Sequence, residues 1–275
     1  MLEALILGII QGLTEFLPIS SSGHLVLFDN LFKLISNGHF DSSLAERLDF
    51  IVAVHLGTLV AVFIYFWRDI WAIIKALPAF FRPRSWKSEI ELEPFRLALG
   101  VLLVTIVTVI VALPLKRAGF LKAAFESLGG VGVAFIVVGT FLFFTRFSLA
   151  KTIKTSVLGI VVGIAQSVAL LPGISRSGAT IGTALLLGAE REFAAKLSFM
   201  AAIPAIIGAA ILEFSANSVS NLNFAVLAVG FFSSFVSGLF ALKILLKIIK
   251  HGQLYRFAYY LWIVGAFTVI LAIAR

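Results

Sequence analysis

Two apolar stretches of this 275-residue chain are each interrupted by a polar turn, and the two interruptions are alike. Sliding residues 8–23 onto 163–178 without a gap pairs Gly8 with Gly163, Ile9 with Ile164, Gln11 with Gln166, Ile19 with Ile174, Ser20 with Ser175, Ser22 with Ser177 and Gly23 with Gly178, seven identities in sixteen positions. Apolar matches arise easily between membrane segments; a shared glutamine, two serines and the glycine after them do not. In the first copy an apolar piece over 2–17 stops at Pro18, and a second runs from Leu25 to Ile35. In the second copy 156–171 stops at Pro172-Gly173, and Ala179 to Gly188 follows. Each reads as a helix-turn-helix that enters a membrane and returns on the same side. Such backbone is tolerated at membrane depth only where it is buried in protein or lines a cavity.

Composition says which solvent the rest of the chain meets. It is 60% hydrophobic and 13% charged, whereas a soluble domain is about a quarter charged. The expected fold is therefore an all-α integral membrane protein. Six segments are long and apolar enough to span, about 48–67, 96–114, 129–146, 195–213, 222–243 and 256–274. With the two re-entrant segments, the order is one hairpin and three spans, twice over: 1–150 and 151–275. Three is odd, so the second repeat must be inverted relative to the first, and inverted repeats with broken helices place a site near the midplane.

Loop charge orients the expected topology. Loops within 68–96, 146–154, 191–196 and 243–256 hold fifteen Lys and Arg; those on the other side, within 33–47 and 116–122 and at 275, hold six. The richer side is cytoplasmic, so both termini and the mouth of the first hairpin face outward in a cell membrane. The stretch 68–95 reads as an interfacial amphipathic connector. The net charge of +8 fits loop topology and anionic headgroups and calls for no nucleic-acid partner. Without cysteine there is no disulfide, thiolate nucleophile or Cys-based metal site. The start, MLEA, lacks the basic region of a cleavable signal peptide, and Gln11 and Glu15 interrupt its apolar run.

The polar residues of the two turns differ in kind. Gln11 and Glu15 are four apart, hence on one helix face. Ser20-Ser21-Ser22-Gly23 forms the first turn and His24 opens the next piece. A hydroxyl, an imidazole and a carboxylate in one short stretch supply a nucleophile, an acid/base and an orienting or metal-binding group. Taken singly, His24 is a helix-start histidine bonded to backbone and Glu15 a carboxyl kept neutral by burial. In the second turn Ser175 or Ser177 can cap a helix whose N–H groups point into the turn, and Gly173 and Gly178 let the backbone come close. Arg176 adds a planar fork suited to phosphate oxygens. Ionisable groups at this depth point to a site near the midplane. His55, in FIVAVHLGT, reads as cavity lining or core packing alike; Asp49 sits at the end of that span, and His39 and His251 read as solvated.

QGLTEFLPISSSGH together with LLPGISRSGAT resembles the undecaprenyl-diphosphate phosphatase family of the bacitracin-resistance type. The resemblance covers essentially the whole chain. The family's Glu/Gln-x3-Glu signature is met by Gln11 and Glu15, its serine-rich turn and histidine by Ser20, Ser21, Gly23 and His24, and its PGxSRSxxT signature by Pro172, Gly173, Ser175, Arg176, Ser177 and Thr180. It implies that Glu15, Ser21, His24 and Arg176 are essential. It implies further that Ser20, Ser22, Gly23, Gly173, Ser175, Ser177, Gly178 and Thr180 bind the substrate. The implied reaction removes the terminal phosphate of a C55 polyprenyl diphosphate and regenerates a carrier for cell-wall polymers. The implied cofactor is a divalent cation, Mg2+ or Ca2+, held at Gln11 and Glu15. Gln11 stands where some members have Glu, one carboxylate fewer for that cation, and Ser22 where many have Thr.

Ser21 and His24 exchange easily as nucleophile and acid/base, and water attack is a third route. The vanadium-haloperoxidase-like lipid phosphatases share only an SGH fragment; their Lys-Arg-Pro signature and downstream Arg–His–Asp set are absent. A transporter or flippase for phosphate or a lipid-linked anion is the rival from another class, because inverted repeats suit transport equally. The Ser/His/Glu cluster, which transport does not need, favours the hydrolase. The expected partners are the polyprenyl diphosphate, membrane lipids and, as one assembly open to such a chain, a second copy in a homodimer.

Overall fold

The computed structural model describes residues 1–35, 48–78, 92–117, 127–216 and 223–274. His39, the loop charges at Arg47, Arg82, Arg84, Lys87, Lys122 and Arg275, and 79–91 of the expected connector lie outside them. The described residues form α1 (Leu2–Phe16), α2 (Ser21–Ile35), α3 (Leu48–Tyr65), α4 (Trp67–Ala76), α5 (Glu93–Arg117), α6 (Leu128–Phe144), α7 (Thr155–Val168), α8 (Arg176–Leu186), α9 (Arg191–Ala216), α10 (Phe224–Lys250) and α11 (Phe257–Ile273). The protein is an all-α, multi-pass membrane protein. Five helices, α5, α6, α9, α10 and α11, are long and apolar enough to cross a bilayer. Exposed Ile110, Phe232 and Ile263 on three of them face outward, as lipid-facing positions do.

The first expected span is bent. α3 stops at Tyr65, and α4 leaves it at 76°; the pair counts as a sixth span only if taken together. The break coincides with a contact to another helix. Phe66 is buried and stacks on Phe199 of α9, centroids 5.7 Å apart. Trp67 and Trp71 instead stack on one another at 6.1 Å on the exposed side, with Lys75 over Trp71, in the manner of aromatic and basic side chains at a membrane interface.

The hairpin helices are short. α1 and α2 have 15 residues each, α7 has 14 and α8 has 11. At 1.5 Å per residue none reaches the roughly 30 Å needed to cross the hydrocarbon core. Their packing interleaves the two halves of the chain. α1 lies along α10, α7 lies along α5, and α6 lies along α11. Each first hairpin helix thus packs on the second long helix of the opposite half. Small residues permit it: a Cβ on Gly8 or Gly12 would collide with Ser233 or Ser237 of α10, and one on Gly163 would sit 2.7 Å from Val107 Cβ of α5. Phe16 meets Phe199 edge to face at 5.8 Å, so the apolar core closes directly beneath the end of α1.

Candidate active site

The two turns are built alike. α1 ends where Leu17 turns extended before Pro18. Ser20 then takes a positive φ of 71°, and its Oγ accepts the N–H of Gly23 at 3.3 Å. That cap starts α2 at Ser21, three residues before the His24 expected to open it: Ser21, Ser22 and Gly23 are the first helical turn rather than part of the connection. In the second copy Ser175, of the two serines that could cap, accepts the N–H of Gly178 at 3.1 Å, and Gly173 takes φ +87°. The partner serines repeat as well, with Ser20 Oγ 3.3 Å from Ser22 Oγ and Ser175 Oγ 3.1 Å from Ser177 Oγ. The turns touch. Ser177 Oγ donates to the carbonyl of Leu17 at 3.2 Å, and the N–H of Gly173 donates to Ser22 Oγ at 3.5 Å. Two helix N-termini, with first-turn N–H groups that have no partner inside their helices, therefore meet at one place.

Glu15 joins the two turns electrostatically. Its Oε1 accepts from Arg176 Nη2 at 2.8 Å, and its Oε2 accepts from Ser21 Oγ at 2.8 Å and from Gln11 Nε2 at 3.0 Å. The carboxylate side chain is 9% exposed and the guanidinium 15%. A charge so placed is stable only when paired and hydrogen-bonded, and this one is both. Arg176 Nη1 also reaches the carbonyl of Ser198 at 3.4 Å. Thr180 Oγ1, 2.6 Å from Ser198 Oγ and donating to the carbonyl of Arg176, braces the same turn.

Above this hub lies a cavity of about 350 Å3. Glu15, Ser20, Ser21, Ser22, Ser175 and Arg176 form its polar end, and His55 joins them; Ile51, Val52, Ala205, Ile206, Ala209 and Ala210 supply apolar walls. A polar floor under an apolar wall suits an amphiphile with an anionic head. His24 is elsewhere. Its ring is buried, with Nδ1 on the carbonyl of Ser20 at 2.8 Å and Nε2 on Tyr260 Oη at 2.8 Å, nearly parallel to the tyrosine ring. A larger, charged cavity of about 840 Å3 lies at the opposite end of α7, around Arg96, Lys151, Lys154 and Lys196. It holds none of the motif residues.

A family model, that of the bacitracin resistance protein BacA, matches residues 4–267. This chain belongs to that family. Among similar proteins, an undecaprenyl-diphosphatase of Carboxydothermus hydrogenoformans is 41% identical, over 99% of this chain and 97% of its own. One from Desulforapulum autotrophicum is 39% identical over 98% and 97%, and one from the archaeon Korarchaeum cryptofilum is 42% identical over 96% of each.

In this BacA-family chain the structure brings Gln11, Glu15, Ser21 and Arg176 into one hydrogen-bonded group, with Ser20, Ser22 and Ser175 beside them on the cavity. Gly23, Gly173, Ser177, Gly178 and Thr180 lie behind that surface, in and under the contact between the turns. A Cβ on Gly23 would stand 3.1 Å from Gly173 Cα, so these glycines serve close approach. Two residues of the neighbourhood carried weak signals or none. His55 is an ionisable residue in an apolar run, but its partner Gln11 is 44 residues away; Tyr260, which holds His24, lies in neither motif.

The cation that the family resemblance implies has a modest donor set here. Among the described residues no three His, Asp, Glu or Cys side chains converge. Glu15 is the one carboxylate lining the cavity. Gln11 Oε1 is buried with no hydrogen-bond partner among the described residues. Because Gln11 turns its Nε2 to Glu15 and its Oε1 away, the amide is no ligand beside that carboxylate; Glu15 alone fits a hard cation that keeps its waters and shares the phosphates of a substrate.

Proposed function

We propose that this chain is a membrane phosphatase that hydrolyses undecaprenyl diphosphate to the monophosphate and inorganic phosphate, with the turn-to-turn cavity as its active site. The observation that carries it is the 2.8 Å contact of Ser21 Oγ with Glu15 Oε2, set against Arg176 from the other turn. Arg176 and the N-termini of α2 and α8 concentrate positive potential where a diphosphate must sit. The apolar wall from α3 and α9 receives the start of the prenyl chain.

In the proposed reaction Ser21 Oγ attacks the terminal phosphorus while Glu15 Oε2 takes its proton. The bond from that phosphorus to the bridging oxygen breaks, and the prenyl monophosphate leaves with the bond's electron pair. Glu15 passes the Ser21 proton to the departing monophosphate; it then takes a proton from the water that cleaves the phosphoserine and gives it to Ser21 Oγ as inorganic phosphate departs. A divalent cation would be held by Glu15 and the substrate's phosphates, since Gln11 turns its N–H and not its oxygen to that carboxylate, and would neutralise part of the phosphate charge. His24 has both ring nitrogens engaged by the fold, so its role in this scheme is to fix the Ser20 carbonyl and the start of α2.

The wider arrangement belongs to the same proposal. Residues 1–150 and 151–275 form inverted repeats with two re-entrant hairpins. Both termini lie outside the cell membrane, and the cavity opens to its outer leaflet. Every group of the site comes from one chain, so a homodimer would carry two complete sites. The deciding experiment incubates purified protein in detergent with polyprenyl diphosphate, then follows phosphate release and covalent capture. Phosphoserine at residue 21 supports the scheme, phosphohistidine at 24 replaces its nucleophile, and anion binding with no phosphate release returns the chain to the transporter class.

A further inference from the structure

His55 sits in α3, on a helix that neither signature motif includes, yet its ring lines the cavity beside Ser21 and Arg176. Its Nδ1 lies 2.8 Å from the carbonyl of Ile51. A carbonyl oxygen only accepts, so Nδ1 carries a proton, and in the neutral ring Nε2 presents a lone pair to the site. That lone pair is 3.2 Å from Gln11 Nε2 and 3.8 Å from Glu15 Oε2. The first is a hydrogen bond; the second is too long to be one.

The Gln11 amide thus gives one N–H to Glu15 and the other to His55. Its orientation is not free. Turned over, its oxygen would face the Glu15 carboxylate and the His55 lone pair at once, two acceptors against an acceptor. The cost of the orientation adopted is visible on the far side, where Gln11 Oε1 is buried without a partner.

The second half of the chain repeats this device without the chemistry. Gln166, which aligns with Gln11, donates from Nε2 to Thr108 Oγ1 at 3.1 Å. Thr108 has its own proton committed to the carbonyl of Gly163 at 3.3 Å, as His55 has to Ile51. Gln166 Oε1 is likewise buried and unpartnered. At both glutamines, then, a fixed acceptor on a neighbouring helix sets the direction of the buried amide, although both acceptors, His55 and Thr108, belong to residues 1–150. Only in the first half does a carboxylate wait one helical turn along; Leu170 holds the aligned place in the second.

We propose that His55 is a positioning residue of the reaction: as a fixed acceptor it orients the Gln11 amide, which in turn holds Glu15 Oε2 toward Ser21. The inference rests on the phosphatase reading and assigns that reading a residue outside its motifs. A carboxylate kept in line with the serine proton acts in the transition state, so the effect belongs in kcat and not in KM.

The test is a double-mutant cycle on phosphate release from polyprenyl diphosphate in detergent. His55→Phe, which keeps a ring but removes the acceptor, lowers kcat about tenfold and leaves KM within about twofold. His55→Gln, whose side-chain oxygen can accept, recovers most of that loss. Added to Gln11→Ala, His55→Phe has no further effect, because the two act through one contact. Thr108→Val, which undoes the parallel contact where no carboxylate waits, leaves kcat unchanged. Additive losses, a change confined to KM, or full activity in His55→Phe overturns the proposal while leaving the phosphatase reading intact. A wild-type protein that releases no phosphate overturns that reading instead. Should His55→Phe fail to fold, the same cycle is run with His55→Leu and His55→Gln, and a melting temperature accompanies each variant.

Discussion

The α1–α2 and α7–α8 hairpins share a scaffold and differ in what they carry. Each has a serine cap, a second serine beside it, a glycine at the close approach and a buried glutamine upstream. At the aligned reactive positions they part: Leu170 stands for Glu15, Arg176 for Ser21 and Ala179 for His24. Two identical turns brought together would set carboxylate against carboxylate, and like charges at short range cannot both stay ionised. Exchanging a serine for arginine in one copy, and losing its carboxylate, turns that conflict into the Glu15–Arg176 pair at 2.8 Å. Two turns of like build bring two helix N-termini to one place; the unlike residues on them supply the unlike groups that phosphoryl transfer needs.

Making the first hairpin like the second is the strongest way to break this comparison. Glu15→Leu lowers phosphate release by about a thousandfold or more, since it removes the proton acceptor of Ser21. It also strands Arg176 in a site that is mostly buried, a loss of about 3–5 kcal/mol, read as a lower melting temperature in detergent. Glu15→Leu combined with Arg176→Leu regains much of that stability and none of the activity. A double variant no more stable than the single one would show that the ion pair does not tie the hairpins together.

A subtler change leaves the charge and alters its shape. Arg176→Lys keeps a cation opposite Glu15 but loses the fork that spans Glu15 Oε1 and the Ser198 carbonyl. The expected loss in kcat/KM is about ten- to a hundredfold, measured as phosphate release at limiting substrate. Arg176→Lys with wild-type kcat/KM would mean that the second hairpin contributes charge alone.

How far the sequence reaches can be read from these same residues. The alignment of 8–23 with 163–178 foretold two related turns, and the structure has them in contact. It also put Glu15 and Arg176 on opposite turns, where they now pair. The start of α2, expected at His24, lies at Ser21 because Ser20 caps it there from a positive φ, a conformation that serine seldom takes and that composition does not announce. The direction of His24 and the approach of His55 depend on Tyr260 and Gln11, 236 and 44 residues away. No local pattern encodes contacts at that separation. The bend after Tyr65 was hidden for a similar reason: it follows from Phe66 finding Phe199 on another helix.

The aligned glycines sharpen the comparison at the contact itself. A Cβ on Gly23 would stand 2.5 Å from the Phe135 ring and 3.1 Å from Gly173 Cα, whereas one on Gly178 meets Ser175 at 3.1 Å and Pro18 at 3.3 Å. Gly23→Ala therefore destabilises by about 1–3 kcal/mol, as overpacking does, and Gly178→Ala by less. Melting temperatures of the two variants in one detergent check the order. Equal shifts would place the tight side of the contact elsewhere.

The smallest effects come from the caps, and there the two copies should respond with opposite sign. Ser20 caps α2 from φ +71°, whereas Ser175 caps α8 from φ −71°. Glycine keeps most of the capping geometry, so replacing a capping serine by it costs only a few tenths of a kcal/mol at either position. At Ser20 glycine also relieves a left-handed conformation worth about 1 kcal/mol or more in a residue with a side chain. At Ser175 there is no strain to relieve, and glycine adds about 0.5–1 kcal/mol of lost chain entropy. Ser20→Gly is thus neutral or slightly stabilising, and Ser175→Gly destabilises by about 1 kcal/mol. Thermal unfolding in detergent resolves the sign, and stability rather than activity is the readout because both serines border the cavity. If Ser20→Gly proves the more damaging of the two, the strained cap holds Ser21 in place for Glu15, and the first turn owes its shape to chemistry rather than to the scaffold that it shares with the second.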